Sequence, residues 1–388
     1  MRRRGFVVII MIFVGIFGLI NGYAGLRIWE WLHALAPNLN GWFFWTLLWL
    51  IGYSFVIGRF TAAYLPRPIV SLFTIVGAYW FAILQYTIPF LLFIDLIRIL
   101  NQWIGILPNS FMQDPQTVTY TGTAVFILVL IILLYGVWRA RNPIVVRYEV
   151  DIPKHGGTHK ELHIAAVSDT HVGTINGNRR LRHMVNMVNE LKPDMVLIVG
   201  DLIDDDFHPF VKQKMPDQLK SLKSNLGTYS VLGNHEYIAG HLDEYAAELE
   251  KAGVRLLVDE AVQINDSFYI IGRDDISGKA HHGRPRKPLS ELVKELDPQK
   301  PLIMMDHQPY RLDEGLKAGI DLQLSGHTHR GQMYPYHFIT RRTYELDWGY
   351  LYKESMHVIV SSGFGTWGPP IRVGNIPEVV SVKVRFTD

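Results

Sequence analysis

The sequence predicts an α/β domain preceded by an all-α transmembrane bundle of four helices, and three observations carry that prediction. Residues 1–147 hold several long uncharged apolar runs, with ten arginines, no lysine and only three acidic residues, a net charge of +7. The remaining 241 residues carry a net −5 and hold fifteen of the sixteen histidines but only two of the ten tryptophans. From Glu149 onward, short apolar runs alternate with amphipathic stretches, the pattern of strands interleaved with helices. A 48% hydrophobic composition excludes a chain disordered throughout, and the absence of cysteine excludes a disulfide-stapled fold. The mild acidity of the C-terminal part argues against nucleic-acid binding, so no such partner is expected.

The expected spans are residues 6–25, 41–58, 69–88 and 118–138, each close to the ~20 residues that cross a bilayer core. Residues 90–107 are also apolar, but Asp95, Arg98, Asn101 and Gln102 recur on one helical face. That face suits a continuation of the third helix lying in the interface. A fifth span there would invert the topology of everything after it. With four spans, Arg2, Arg3, Arg4, Arg59, Arg67, Arg139, Arg141 and Arg147 gather on one side, and Arg27 and Arg98 on the other. The asymmetry predicts that both termini are cytoplasmic. Residues 1–147 then form a multi-pass cell-membrane anchor in contact with the bilayer, and residues 148–388 a cytoplasmic domain. Apart from Asp95 and Arg98 no ionisable group lies within the apolar runs, which favours an anchor over an ion pathway.

In the second part, strands are expected at 163–169, 194–201, 228–232, 254–258, 302–306, 322–324, 357–361 and 379–386, with a hairpin over 262–264 and 268–271. Helices are expected at 178–191, 211–225 and 241–252. The late strands, lacking helices between them, suggest a second sheet packed on the first. Chemistry-bearing residues fall at the strand ends: Asp169-Thr-His171, Gly200-Asp201, Gly233-Asn234-His235-Glu236, Asp306-His307 and Gly326-His327-Thr328-His329. In an open α/β sheet the loops beyond the carboxyl ends of strands meet in one crevice. Asp, Asn and His are ligands suited to Mn²⁺, Fe²⁺ or Zn²⁺, and a carboxylate such as Asp201 has two oxygens with which to bridge two cations.

These pieces, in this order, resemble the signature of the calcineurin-like metallophosphoesterases: DxH, GDxxD, GNH[DE], a single His, then GHxH. The resemblance covers roughly residues 163–384. The tail, from Gly363-Phe-Gly-Thr-Trp-Gly-Pro-Pro-Ile-Arg372 to Pro377-Glu378, is similar to the membrane-associated branch, some members of which resemble UDP-2,3-diacylglucosamine hydrolases. The resemblance implies a four-layer αββα sandwich and two divalent metal ions (Mn, Fe or Zn). One ion would be held by Asp169, His171, Asp201 and His329, the other by Asp201, Asn234, His307 and His327. His235 would reach the substrate phosphate as a catalytic residue alongside the bridging Asp201, with Asp204 a supporting carboxylate. Glu236 stands where many members have Asp.

The reaction this implies is hydrolysis of a phosphodiester, pyrophosphate or phosphomonoester by direct attack of a hydroxide held between the metals. The membrane part suggests a lipid-linked or nucleotide-linked substrate such as UDP-2,3-diacylglucosamine. A general nucleotide phosphodiesterase addressed to the membrane, or a metal-sensing transporter or channel, are the alternatives. Arg372 and the basic loop with Arg284 and Arg286 are candidate substrate contacts, and Asp204-Asp205-Asp206 reads as an exposed acidic turn. The sequence carries no signal for oligomeric state.

Overall fold

Four uninterrupted apolar stretches do not become four equal helices. In the computed structural model, which describes residues 2–62, 64–283 and 285–387, the N-terminal helices are α1 (Arg2–Leu35), α2 (Gly41–Gly52), α3 (Ser54–Thr61), α4 (Arg67–Ile104), α5 (Asn109–Gln113) and α6 (Pro115–Arg141). Three of them, α4, α6 and α1 from Met11 onward, are long and apolar enough to cross a membrane. The pair α2 and α3 makes a fourth candidate only if taken together, because it bends by 56° at Tyr53. The third run and residues 90–104 form one helix of 38 residues that continues through Pro89. At ~1.5 Å per residue that is roughly 57 Å, well beyond the ~30 Å hydrocarbon core.

Phe17, Ala24, Phe44, Leu48, Trp80 and Leu84 make the buried centre of this bundle. Buried Asn21 is satisfied within it, donating to Phe17 O at 2.7 Å and accepting from Trp80 Nε1 at 2.7 Å. Gly77 lets α4 approach α3, since a Cβ there would stand 2.4 Å from Phe55 N.

The chain divides into two compact units at Gly136 and Val137. The second unit contains β1 (Ile144–Ile152), β2 (Glu161–Val167), α7 (Asn178–Glu190), β3 (Met195–Val199), α8 (His208–Lys212), α9 (Pro216–Leu219), β4 (Thr228–Val231), α10 (Asn234–Ala239), α11 (Leu242–Lys251) and β5 (Val254–Leu256). It continues with β6 (Glu260–Ile264), β7 (Phe268–Gly272), α12 (Gly278–His282), α13 (Leu289–Leu292), β8 (Leu302–Met305), α14 (Leu312–Lys317), β9 (Leu322–Ser325), α15 (His337–Thr343), β10 (Gly349–Lys353), β11 (Met356–Val360) and β12 (Glu378–Phe386). Several elements depart from expectation, among them the unanticipated strand β10 and helix α15. β1 pairs in parallel with β12 and crosses the 147/148 boundary, so the folded unit takes in residues before 148. The helix expected at 211–225 is two short helices, because Lys214 adopts φ 52° and Pro216 starts the second one.

Two six-stranded sheets result, ordered β1-β12-β2-β3-β4-β5 and β10-β11-β9-β8-β7-β6. Alternation along each strand explains how they stack. Ile164 and Ala166 on β2, with Ile303 and Met305 on β8, point into a core shared by both sheets. Ala165 and Val167 face the other way, against Leu181, Met184, Val185 and Val188 of α7 and Tyr245 and Leu249 of α11. Met304 and Val358 on the second sheet's outer face meet Leu289 of α13 and Leu312 of α14. The order of layers is helix, sheet, sheet, helix. The parallel strands β2, β3 and β4 of one sheet and β8 and β9 of the other run in register, which sets their carboxyl ends at a common edge.

Candidate metal centre

Each signature segment begins where one of those parallel strands ends: residues 169–171 after β2, Asp201 after β3, 234–236 after β4, His307 after β8, and 327–329 after β9. The backbone there is held in an uncommon region. Asp169, His171, Asp201, His327 and His329 all have positive φ, between 44° and 70°. Left-handed conformations in non-glycine residues carry strain that only a well-determined surrounding maintains. Close approach is needed too, since a Cβ on Gly233 would lie 2.2 Å from Asp201 Oδ1 and one on Gly326 2.3 Å from Asp169 Oδ2.

Six of the seven expected ligands fall into two groups, and the seventh, Asn234, has a buried Oδ1. Asp169, His171 and His329 form one group and Asp201, His307 and His327 another, the donor atoms of each lying within 4.8 Å of one another. Asp201 links them: its Oδ2 is 3.1 Å from His307 Nε2 and 3.8 Å from His171 Nε2. His171 Nε2 is 2.9 Å from His329 Nε2, which is 3.4 Å from Asp169 Oδ1. Asp169 also accepts from the backbone N–H of His327 at 2.9 and 3.0 Å, and Asp201 from that of His235 at 2.9 Å. His307 Nδ1 lies 2.8 Å from Val199 O and its Nε2 faces Asp201; burial lowers the pKa of this ring, but Asp201 and Asp169 outweigh burial and hold it well above the imidazole range.

The donor set fits a pair of divalent cations. His171 Nδ1 and Asn234 Oδ1 are buried without hydrogen-bond partners, a costly state for polar atoms that lack an ion or donor to engage. Electrostatics point the same way. Burial drives His171 and His329 well below the usual imidazole range, and with the neighbouring His307 it lowers His327 to about 3. All three are neutral and carry the lone pair a metal needs. Burial also pushes Asp169 up to about 6, Asp201 adding to the rise while the charge on His307 opposes it. Asp201 behaves oppositely: burial raises it, but the charges of His307 and His235 outweigh burial and hold it well below the carboxylate range.

His235 belongs to a third group, with His171 and Asp204, whose donor atoms also lie within 4.8 Å of one another; its ring centroid is 4.5 Å from that of His171. Its Nδ1 lies 2.7 Å from Asp205 Oδ1 and 3.5 Å from Asp204 Oδ1. Burial lowers its pKa, but Asp201, Asp204 and Asp205 together push it up to about 11, so the ring is cationic. Asp205 is therefore a partner of the site, whereas the sequence reading placed it in an exposed turn. Glu236 is the other residue whose role the sequence understated. It is fully buried and accepts from the backbone N–H of Asp201 (3.0 Å), Ile203 (3.1 Å) and Gly233 (2.7 Å), tying the loop after β3 to the loop after β4. The GNHE motif singled out Glu236 but not the loops that its carboxylate joins.

The expected substrate contacts fare differently. Arg372 is fully buried and spends its guanidinium on Ser362 O (2.6 Å), Gly363 O (3.2 Å), Gly365 O (2.6 Å) and His329 Nδ1 (3.1 Å). It supports the tail and the His329 ring, and its guanidinium is engaged within the folded chain. Arg286 is committed to Asp306, beside His307, donating from Nη1 to both carboxylate oxygens at 3.0 and 2.9 Å. Arg284 lies outside the described residues. What borders the site instead is aromatic: Trp367, 56% exposed, has its ring 6.0 Å from that of His235. Gln332, three residues after His329, donates to Trp367 O at 2.8 Å, and Tyr334 N donates to Val373 O, which ties residues 332–334, just ahead of α15, to the segment that carries Trp367. Tyr334, Phe338 and Ile339 there are 50%, 54% and 60% exposed.

Comparison with known proteins agrees with this geometry. Residues 162–331 match the calcineurin-like phosphoesterase family. An uncharacterized metallophosphoesterase of Aquifex aeolicus is 36% identical over 229 residues, which cover 58% of this chain and 85% of that one. A transmembrane protein with a metallophosphoesterase domain from Bos taurus is 32% identical over 259 residues, covering 63% of this chain and 58% of that one. Its counterpart in Danio rerio is 28% identical over 331 residues, covering 79% and 74%. The chain thus spans less than two thirds of the bovine protein's length.

Proposed function

The chain belongs to the calcineurin-like metallophosphoesterases, a class of metal-dependent phosphoester hydrolases that use two divalent ions, and from that premise we propose that it is a membrane-anchored hydrolase of amphiphilic phosphate esters or pyrophosphates. The observation that carries the reading is the meeting of two ligand groups at the shared carboxylate of Asp201. In this reading Asp169, His171, Asp201 and His329 hold one ion, and Asp201, Asn234, His307 and His327 the other. When bound, such a pair polarises phosphoryl oxygens and lowers the pKa of nearby water.

The protein's own residues supply the rest. The strained backbone at Asp169, His171, Asp201, His327 and His329 fixes the ligand side chains before substrate arrives, avoiding reorganisation during reaction. Arg372 holds the His329 ring from behind. His235, kept cationic by Asp204 and Asp205, stabilises or protonates the departing oxygen. Asp205 sits on Nδ1 of that ring, which leaves Nε2 to face the substrate. Asp204, near both His171 and His235, steadies the two rings.

The exposed rim of Tyr334, Phe338, Ile339 and Trp367, with Arg341 and Arg342 in the last turn of α15, supports an amphiphile as substrate. Scattered apolar residues need no explanation, but a cluster around a site does. UDP-2,3-diacylglucosamine is one compound of this kind, and a cytoplasmic catalytic face is the matching topology. The test compares bis-p-nitrophenyl phosphate with a lipid-linked pyrophosphate in the Phe338→Ser/Ile339→Ser double variant. Losing two exposed apolar side chains that an acyl chain would cover predicts a fall in kcat/KM of roughly ten-fold or more for the lipid substrate and no change for the soluble ester. An equal effect on both would remove the amphiphile from the account.

A further inference from the structure

A surface helix ordinarily turns its apolar residues to the core, and α15 does the reverse. None of its seven residues is buried. Phe338 and Ile339 are 54% and 60% exposed. Arg341 and Arg342, three and four residues after Phe338, are exposed on the same side of the helix. The polar Thr340 is what the helix turns to the domain, donating from Oγ1 to Oδ2 of the buried Asp347 at 2.6 Å. The apolar surface continues ahead of the helix at Tyr334, which is 50% exposed. Its ring lies 5.4 Å from that of His337 and 6.0 Å from that of Phe338, and the His337 and Phe338 rings are 4.1 Å apart. Tyr334, His337 and Phe338 thus form one contiguous cluster with Ile339 beside it, where isolated exposed residues would need no explanation.

The charge on this face has one sign. Among the described residues neither Arg341 nor Arg342 has an ion pair. The acids that follow them are committed elsewhere, Glu345 to Lys353 Nζ at 2.6 Å and Asp347 to Thr340. Aromatic and aliphatic side chains beside unpaired arginines match the headgroup region of an anionic bilayer, which offers apolar depth and phosphate together. A bilayer is also close along the chain. Asn142 and Pro143 alone separate β1 from α6, a helix long and apolar enough to cross a membrane. So short a tether raises the effective concentration of lipid surface around the second unit.

We propose that the exposed face of α15 docks on an anionic lipid surface, with Phe338 and Ile339 entering the headgroup region and Arg341 and Arg342 meeting lipid phosphates. The docking rests on the amphiphile reading in using the same apolar side chains, but the depth of α15 in lipid is measured without turnover.

The chain has no cysteine, so a nitroxide can be attached at Ile339→Cys in the full-length protein. The labelled protein is reconstituted in phosphatidylcholine alone and in an equal mixture with phosphatidylglycerol. Electron paramagnetic resonance then reads collisions with oxygen, which concentrates in lipid, and with a nickel chelate, which stays in water. In the mixed bilayer the label is expected to favour oxygen. Arg341→Gln/Arg342→Gln is expected to lower the ratio of immersed to exposed label roughly ten-fold or more, each cation near a negative surface contributing about five-fold. Phosphatidylcholine alone should have the same effect, and a label at Phe338→Cys should repeat both results. A label that favours nickel in both bilayers would overturn the proposal. So would one shielded from both reagents, the sign of a protein contact, or one equally immersed with and without the two arginines. Immersion without a selective loss of lipid turnover in Phe338→Ser/Ile339→Ser would remove the amphiphile and keep the docking, and the opposite pair of results would remove the docking alone.

Discussion

At the scale of single residues the site separates holding from reacting. Asp201 faces both ligand groups, so Asp201→Asn is expected to lose metal and turnover together. His235 touches the carboxylates of Asp204 and Asp205, and in the proposed reaction it serves the leaving group. His235→Ala should therefore lower turnover by roughly 10²–10⁴-fold with metal content unchanged, as parallel metal analysis and kinetics would reveal; a His235→Ala enzyme at wild-type rate would remove its assignment. Glu236 makes a structural claim at the same scale. Removing its carboxylate in Glu236→Ala leaves three backbone N–H groups buried without acceptors, a loss of about 3 kcal/mol or more. Denaturant unfolding should register that loss, and a midpoint equal to wild type would contradict it. The ligands were legible in the sequence because each sits in a short motif with its neighbours. The partners of Asp205, Glu236 and Arg372 were not, because their roles depend on which loops the sheet edges bring together. Arg372 shows the limit most clearly. A basic residue beside a Gly-Pro-Pro turn suggests a phosphate contact, yet its guanidinium is consumed by five acceptors of the folded chain.

At the scale of elements, β2 ties pH to stability away from the metal ligands. His163 on β2 lies with Nε2 2.8 Å from Ser381 Oγ on β12. Burial holds its pKa below the ordinary imidazole value, with Lys383 and Arg147 adding to the effect and Asp194 opposing it. The folded state thus binds a proton less readily than the unfolded chain. Stability is present at neutral pH and falls as pH drops below about 6.5 toward the folded value. His163→Gln should flatten part of that acid-side fall in a series of thermal melts, and an unchanged pH slope would contradict the assignment. Strands were easier to read than helices here. The buried parallel strands are short apolar runs bounded by turn residues, whereas the expected helix at 211–225 ignored Pro216. β1 escaped notice because it lies in the transition between the two compositional halves, with exposed and buried positions alternating irregularly. In the bundle, hydropathy located the apolar runs but not the bend at Tyr53, nor the fusion of the third run with residues 90–104 into one helix.

At the scale of the whole molecule, two units of opposite character share one chain. One offers three helices long enough to span a membrane, or four with the bent pair, and the other an αββα sandwich whose strand ends carry the ligand set. The division was visible in composition alone, in the arginine-only first part and the histidine-rich second. The account's central claim is that Asp169, His171, Asp201, Asn234, His307, His327 and His329 form a single two-ion site with Asp201 as the shared ligand. Metal analysis of the purified full-length protein by plasma mass spectrometry addresses it most directly. The account predicts about two divalent ions per chain in the wild type and at most about one in Asp201→Asn, because a shared bridge cannot be lost from one ion alone. A wild-type protein saturating at about one ion, or an Asp201→Asn protein that still holds about two, would contradict it.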